Sequence, residues 1–106
     1  MKIAVSSQGG SLSAQVAPNF GRCPVFLIID SETMKFEFFT NPAEGMMGGA
    51  GPEAARQIHQ HGAEVVLTGV VGPNAEKAIQ TYGMKLVQGA SGTVKEAIDK
   101  YLKESK

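Results

Sequence analysis

The chain has 106 residues, enough for one domain with a real core, and ten Lys and Arg balance ten Asp and Glu. That balance argues against a nucleic-acid or membrane-surface binder, since both rest on a basic excess, and the lack of Trp argues against base stacking. One cysteine, Cys23, can form no internal disulfide, and no stretch offers the ~20 apolar residues of a membrane span or the apolar run of a signal peptide, so the expected location is the cytoplasm.

Lys2–Ser6 is short and apolar and reads as a strand, stopped by Gln8-Gly9-Gly10. Ser11–Asn19 is polar, contains Pro18, and reads as loop. Val25–Ile29 is a continuous apolar run, which suits a central strand buried on both faces. Asp30–Thr33 reads as a turn, and Lys35–Thr40 as the hairpin partner of the preceding strand. Asn41–Ala50 is a glycine-rich loop.

A repeat follows. A shift of 21 residues aligns Gly51-Pro52 with Gly72-Pro73, Ala54 with Ala75, Ile58 with Ile79, Gly62 with Gly83 and Val66 with Val87. Each copy predicts a helix with Gly as N-cap and Pro at the first helical position, where a missing N–H costs nothing. Each helix is expected to end at a left-handed glycine, Gly62 or Gly83, and to lead into a strand, Glu64–Thr68 or Lys85–Gln88. A last helix opens on Thr93-Val94-Lys95-Glu96, which has capping-box spacing, and carries an apolar stripe of Val94, Ala97, Ile98, Tyr101 and Leu102.

The order predicts an α/β fold: a five-stranded mixed sheet with helices on both faces. Ligands of such sheets bind beyond the carboxyl ends of the parallel strands. The loops Ser6–Gly10, Gly69–Asn74 and Gly89–Thr93 belong there, and Asn19–Cys23 and Asn41–Gly51 are expected to fold over the same end. Three glycine loops thus precede helix N-termini, whose free N–H groups and dipoles favour anions. Tight turns alone would also explain these glycines, and neither a P-loop nor a dinucleotide fingerprint is present.

Met46 and Met47 sit in such a loop; thioethers are soft ligands for Cu(I) and good neighbours of metal sulfides, and the plainer reading is that they cap the core. Arg22 beside Cys23 is placed to lower a thiol pKa, although a lone cysteine opening a buried strand also reads as a small core residue. His59 and His61 suit the C-terminus of a helix as cations. No pair of acid and base groups stands out.

Met1–Ser7, Phe20-Gly21-Arg22-x-Pro24-x-Phe26, Gly48–Gly51, Gly72-Pro73-Asn74-Ala75 and Gly92-Thr93-Val94 occur in one order over nearly the whole chain. Together they resemble the dinitrogenase iron–molybdenum cofactor biosynthesis family. The resemblance implies a ribonuclease-H-like fold over residues 1–106, no catalysis, and binding or carriage of a metal–sulfur cluster. The short chain, Cys23 and the methionines point to a molybdenum–copper sulfide rather than an iron–molybdenum cluster. Some members carry histidine just before the Phe-Gly pair, where this chain has Asn19. The expected cluster-binding residues are Ser7, Asn19, Phe20, Gly21, Arg22, Met46, Met47, Gly48, Gly49, Gly51, Gly72, Pro73 and Asn74, with Cys23 and Met47 as candidate metal ligands. The implied partners are the cluster and proteins that donate or accept it. Two other functions fit the residues: an enzyme using Cys23, and an interaction module with an empty or vestigial pocket.

Overall fold

The computed structural model describes residues 1–104. Its elements run β1 (Lys2–Ser7), β2 (Val25–Asp30), β3 (Phe36–Thr40), α1 (Ala50–Gln60), β4 (Val65–Leu67), α2 (Pro73–Thr81), β5 (Lys85–Val87) and α3 (Val94–Glu104). All five expected strands and three helices are present, and they form the expected α/β fold.

The sheet order is β3-β2-β1-β4-β5. β1 is parallel to β4 and β4 to β5, whereas β2 is antiparallel to both β1 and β3. Four strands therefore point one way and β2 points back. Alternation along β1 explains the two layers. Ile3 and Val5 face one side with Leu27, Ile29 and Leu67, under Val94 and Ile98 of α3. Ala4 faces the other side with Phe26, Ile28 and Val66, under Ile58 of α1 and Ile79 of α2. Each fully buried Ile or Leu contributes roughly 1.5–3 kcal/mol, so both stripes are needed to hold short strands in register.

The two copies of the repeat end alike. Gly62 (φ 88°) and Gly83 (φ 76°) are left-handed and follow the C-caps of α1 and α2. They begin differently. α2 starts as expected, with Gly72 as N-cap and Pro73 first. α1 starts earlier than expected: Gly49 (φ 73°) is the N-cap, Ala50 comes first, and Gly51 lies inside the helix. The reason is a close crossing. A Cβ on Gly51 would lie 2.6 Å from the Cβ of Ala75 in α2, so this glycine sets helix spacing rather than capping.

Ser11–Asn19 is irregular as expected but firmly attached, with isolated bridges pairing Ser7 with Val16, Gln15 with Thr93 and Asn19 with Val70.

Candidate functional site

The strand directions bring the loops after β1, β3, β4 and β5, and the loop before β2, to one end of the sheet. An open cavity of about 270 Å³ lies there, lined by Asn19, Gly21, Arg22, Gly49, Ala50, Gly51, Pro52, Gly72, Pro73, Asn74 and Ala75. Its base is a stack of close backbone approaches. A Cβ on Gly21 would sit 3.0 Å from the Gly51 nitrogen, and Gly51 in turn abuts Ala75. Residues without bulk at 21, 51 and 75 thus let the loop before β2 meet the first turns of α1 and α2.

Both helices open on this cavity without a side-chain cap. Among the described residues, no acceptor takes the N–H groups of Ala50, Gly51, Asn74 or Ala75. Unpaired first-turn N–H groups and two aligned helix dipoles give the cavity a positive character. Glu53, in the first turn of α1, is turned aside: Arg56 Nε lies 2.9 Å and Gln57 Nε2 lies 2.8 Å from its oxygens. The bond from Arg56, then that from Gln57, holds its carboxyl down at about 2.

Two side chains tie the rim together. Asn41, buried at the end of β3, donates from Nδ2 to the carbonyls of Gly21 (3.1 Å) and Cys23 (2.9 Å), and its Oδ1 accepts the Ala43 N–H (3.0 Å). Arg22 Nη1 donates to the carbonyls of Glu44 (3.1 Å) and Met46. Asn41 therefore pins the 21–23 backbone, and Arg22 pins the loop leading to α1 while keeping its charge at the rim. Beneath, the buried Ser6 hydroxyl donates to the Ala17 carbonyl (2.9 Å) and is 2.7 Å from that of Thr68, joining the ends of β1 and β4. The sequence reading passed over Asn41, Ser6 and Thr68. An Asn ending a strand two residues before Ala43 was the one available signal, since it suits a local Asx turn.

The structure thus gathers Asn19, Gly21, Arg22, Gly49, Gly51, Gly72, Pro73 and Asn74 around one space. It places the remaining expected residues elsewhere. Phe20 is wholly buried, with its ring 5.3 Å from that of Phe26, because the core takes its large apolar surface. Ser7 is buried and shapes the turn after β1, donating to the Gly9 carbonyl at 2.6 Å. Gly48 stands clear of other groups. Met46 and Met47 are exposed beyond the lining, and Met47 is fully so, which excludes a core-capping role for it.

Cys23 is buried behind the rim. Burial pushes its thiol up to about 12, outweighing bonds from the Ser7 backbone, Asn41 and the Val25 backbone. The expected lowering by Arg22 does not occur, since the guanidinium is turned toward the 44–46 carbonyls. The thiol is therefore neutral near pH 7, a poor nucleophile and a poor metal ligand. Among the described residues, no three His, Cys, Asp or Glu side chains are grouped to hold a metal ion.

The third glycine loop differs from expectation. Thr93 and Glu96 close a capping box, with Thr93 N–H to Glu96 Oε1 at 2.9 Å and Glu96 N–H to Thr93 Oγ1 at 3.1 Å. The Val94 and Lys95 N–H groups donate to the carbonyls of Ala14 and Leu12. The start of α3 thus has its donors occupied, and it does not line the cavity. His59 and His61 lie at the other end of α1, where they stack on Tyr82 and Phe39 at 4.6 and 4.0 Å and tie the helix to α2 and β3.

The model of the dinitrogenase iron–molybdenum cofactor family matches residues 1–104. The chain belongs to this family. The likeness extends to solved structures. The apo form of the orange protein from Desulfovibrio gigas superposes with a TM-score of 0.94 at 39% identity, covering 97% of this chain and 88% of that one. A NifB-like protein of Thermotoga from the DUF35 family does so with a TM-score of 0.83 at 31% identity, covering 96% of this chain and 87% of that one. An uncharacterised protein of Methanocaldococcus jannaschii is 29% identical over 105 residues, 96% of this chain and 86% of that protein. No helix among the described residues is long and apolar enough to cross a membrane.

Proposed function

We propose that the chain is a non-catalytic binding or carrier protein for a small anionic metal–sulfur cluster, of molybdenum–copper sulfide rather than iron–molybdenum type, held in the cavity between α1 and α2. The observation that carries this reading is the pair of uncapped helix N-termini opening on one space beside Arg22. Membership of a cofactor family and likeness to the orange protein support it.

The donor set favours contact with sulfide rather than with metal. Backbone N–H groups donate to anionic sulfur, and Arg22 offsets charge. Met46 and Met47 lie outside the lining, but the Met46 methyl reaches within 3.8 Å of a Cβ built on the lining residue Gly49, and the next residue, Met47, is exposed, so soft thioethers there can cover a sulfide face or reach copper. At the position where some relatives carry histidine, Asn19 Oδ1 accepts the Arg22 N–H at 3.3 Å, so no imidazole is available for an iron–molybdenum cluster. The volume, about 270 Å³, lies just under the ~300–1,000 Å³ of ordinary ligand pockets, which suits a compact inorganic cluster. An open rim suits cargo that is handed between donor and acceptor proteins. The neutral, buried Cys23 weighs against an enzyme that uses it as nucleophile.

Apo protein mixed with tetrathiomolybdate and Cu(I) is expected to acquire a visible charge-transfer band that survives gel filtration. Loss of the band on the column would overturn the reading. The fully exposed Met47 favours a second reading, an interaction module with a vestigial pocket. That reading expects no band, and partner binding unchanged by Arg22→Ala, Met46→Ala and Met47→Ala.

A further inference from the structure

One segment beside the cavity is held sideways by a single side chain. Ala43 and Ala50 are buried, and Glu44–Gly49 between them is exposed throughout. Two of its N–H groups reach back to its own base, Glu44 to Asn41 O at 3.3 Å and Met46 to Ala43 O at 3.1 Å. Beyond that turn, among the described residues, residues 44–48 are bonded only by Arg22, whose Nη1 donates to the carbonyls of Glu44 and Met46. A Cβ added at Gly45 or Gly48 would meet nothing within 4 Å, so the segment has room to swing. Met47, near its tip, is fully exposed.

Arg22 also lines the cavity. Both of its bonds to the segment use Nη1, so the edge formed by Nε and Nη2 has no acceptor among the described residues. That edge offers two parallel donors, the arrangement that grips an anion bidentately, and such bonds are roughly twice as strong as those to neutral carbonyls. One planar, rigid group is therefore shared between the cavity and the segment.

We propose that Glu44–Gly49 is a strap that closes over the cavity once an anionic cluster is bound, with Arg22 as the positioning residue that couples the two events. This rests on the carrier reading and adds how the cargo is retained. Sulfide takes the Nε and Nη2 edge and fixes the guanidinium, and Nη1 then holds the Glu44 and Met46 carbonyls in one place. Met47 lies two residues before Gly49, which lines the cavity. Two peptide units span at most about 7 Å, so a turn at Gly48 carries the thioether to the mouth. There a soft, sulfur-rich face gives the exposed methionine an apolar contact that the free chain does not offer. The strap therefore stays open to arriving cargo and shuts on it.

The test is NMR of protein labelled at the methionine methyl groups, with Met47 assigned from Met47→Leu and its exposure read from broadening by a soluble paramagnetic agent. Tetrathiomolybdate and Cu(I) are closed-shell, so the loaded protein stays readable. Loading should cut the broadening of Met47 at least threefold. Arg22→Lys keeps the charge but replaces the two-edged fork with one nitrogen. It should still gain the visible band, leave Met47 exposed, and release the cluster to a competing chelator at least tenfold faster than the parent. A band with Met47 as exposed as in the free chain overturns the strap and leaves the carrier reading standing. An Arg22→Lys variant that closes like the parent, or gains no band, overturns the coupling through Arg22. No band in the parent overturns the carrier reading and this proposal together.

Discussion

Three helices begin at the same end of one sheet, each after glycine, yet their first turns are opposites. The α3 start is closed: Thr93 and Glu96 cap each other, and the Val94 and Lys95 N–H groups are bonded to the loop beside them. The α1 and α2 starts are open, with glycine N-caps and no acceptor for their leading N–H groups. An uncapped helix start forgoes about 1 kcal/mol relative to a Ser, Thr, Asp or Asn cap when the alternative is an apolar residue, and a few tenths when it is glycine. Two such starts on one cavity leave donors free for the proposed cluster, whereas the donors of the third are taken up within the fold. The difference teaches that a glycine loop before a helix can offer an anion site only where the donors remain free.

The largest expected effect tests what supplies the cavity's positive character. If free N–H groups and Arg22 do so, with no thiolate near them, Cys23 must be inert. Its thiol ionises near 12 in the folded chain against 9.0 unperturbed, so at pH 9 native alkylation by iodoacetamide should run ~10³-fold slower than in denaturant. The same displacement makes folding lose stability as pH rises from about 9 toward 12, because only the unfolded thiol ionises readily there. A fast native reaction at pH 7 would return Cys23 to the site.

Gly51→Val attacks the open pair. With Ala75 2.6 Å from the new Cβ, α1 and α2 must separate, and denaturant unfolding should show a loss of about 3 kcal/mol. Asn41→Ala removes both donations to the 21–23 backbone and the local turn, and should cost about 2 kcal/mol by the same measurement while weakening cluster binding. Thr93→Ala attacks the closed start. It should cost about 1 kcal/mol and leave cluster binding as in the parent chain. A comparable binding loss from Thr93→Ala would erase the contrast between the helix starts.

Much of this was legible in the sequence, and the gaps have physical causes. The strands and helices follow from apolar runs, from Pro73 at a helix start, and from Gly62 and Gly83 at helix ends. The loops around Arg22 and Gly72 were placeable because strand direction alone sends them to one end. The start of α1 was misread because Gly51-Pro52 imitates Gly72-Pro73, and only the contact with Ala75 shows that Gly51 serves helix spacing. Phe20 and Ser7 were expected in the site because they belong to the motifs that carry the family resemblance; Phe20 is instead buried in a core that gathers residues as distant as Ile58 and Ile79, and Ser7 is buried at the turn after β1. The role of Asn41 was hidden because its acceptors lie 18 and 20 residues away. The α3 capping box was readable from Thr93 and Glu96, and taking it at its word would have shown that start to be closed.

The most direct measurement is Gly72→Asp. Gly72 has φ −78° and ψ 168°, ordinary N-cap geometry, and a Cβ there meets nothing within 4 Å. Aspartate should therefore cap α2, bond its free N–H groups, and set a negative charge on the cavity. Thermal unfolding and titration with tetrathiomolybdate and Cu(I) are read on the same sample. The account expects a Tm equal to or ~2 °C above the parent, since a cap adds only a few tenths of a kcal/mol over glycine, together with at least a tenfold loss of binding. A capped, stable variant that binds the cluster as well as the parent would contradict it.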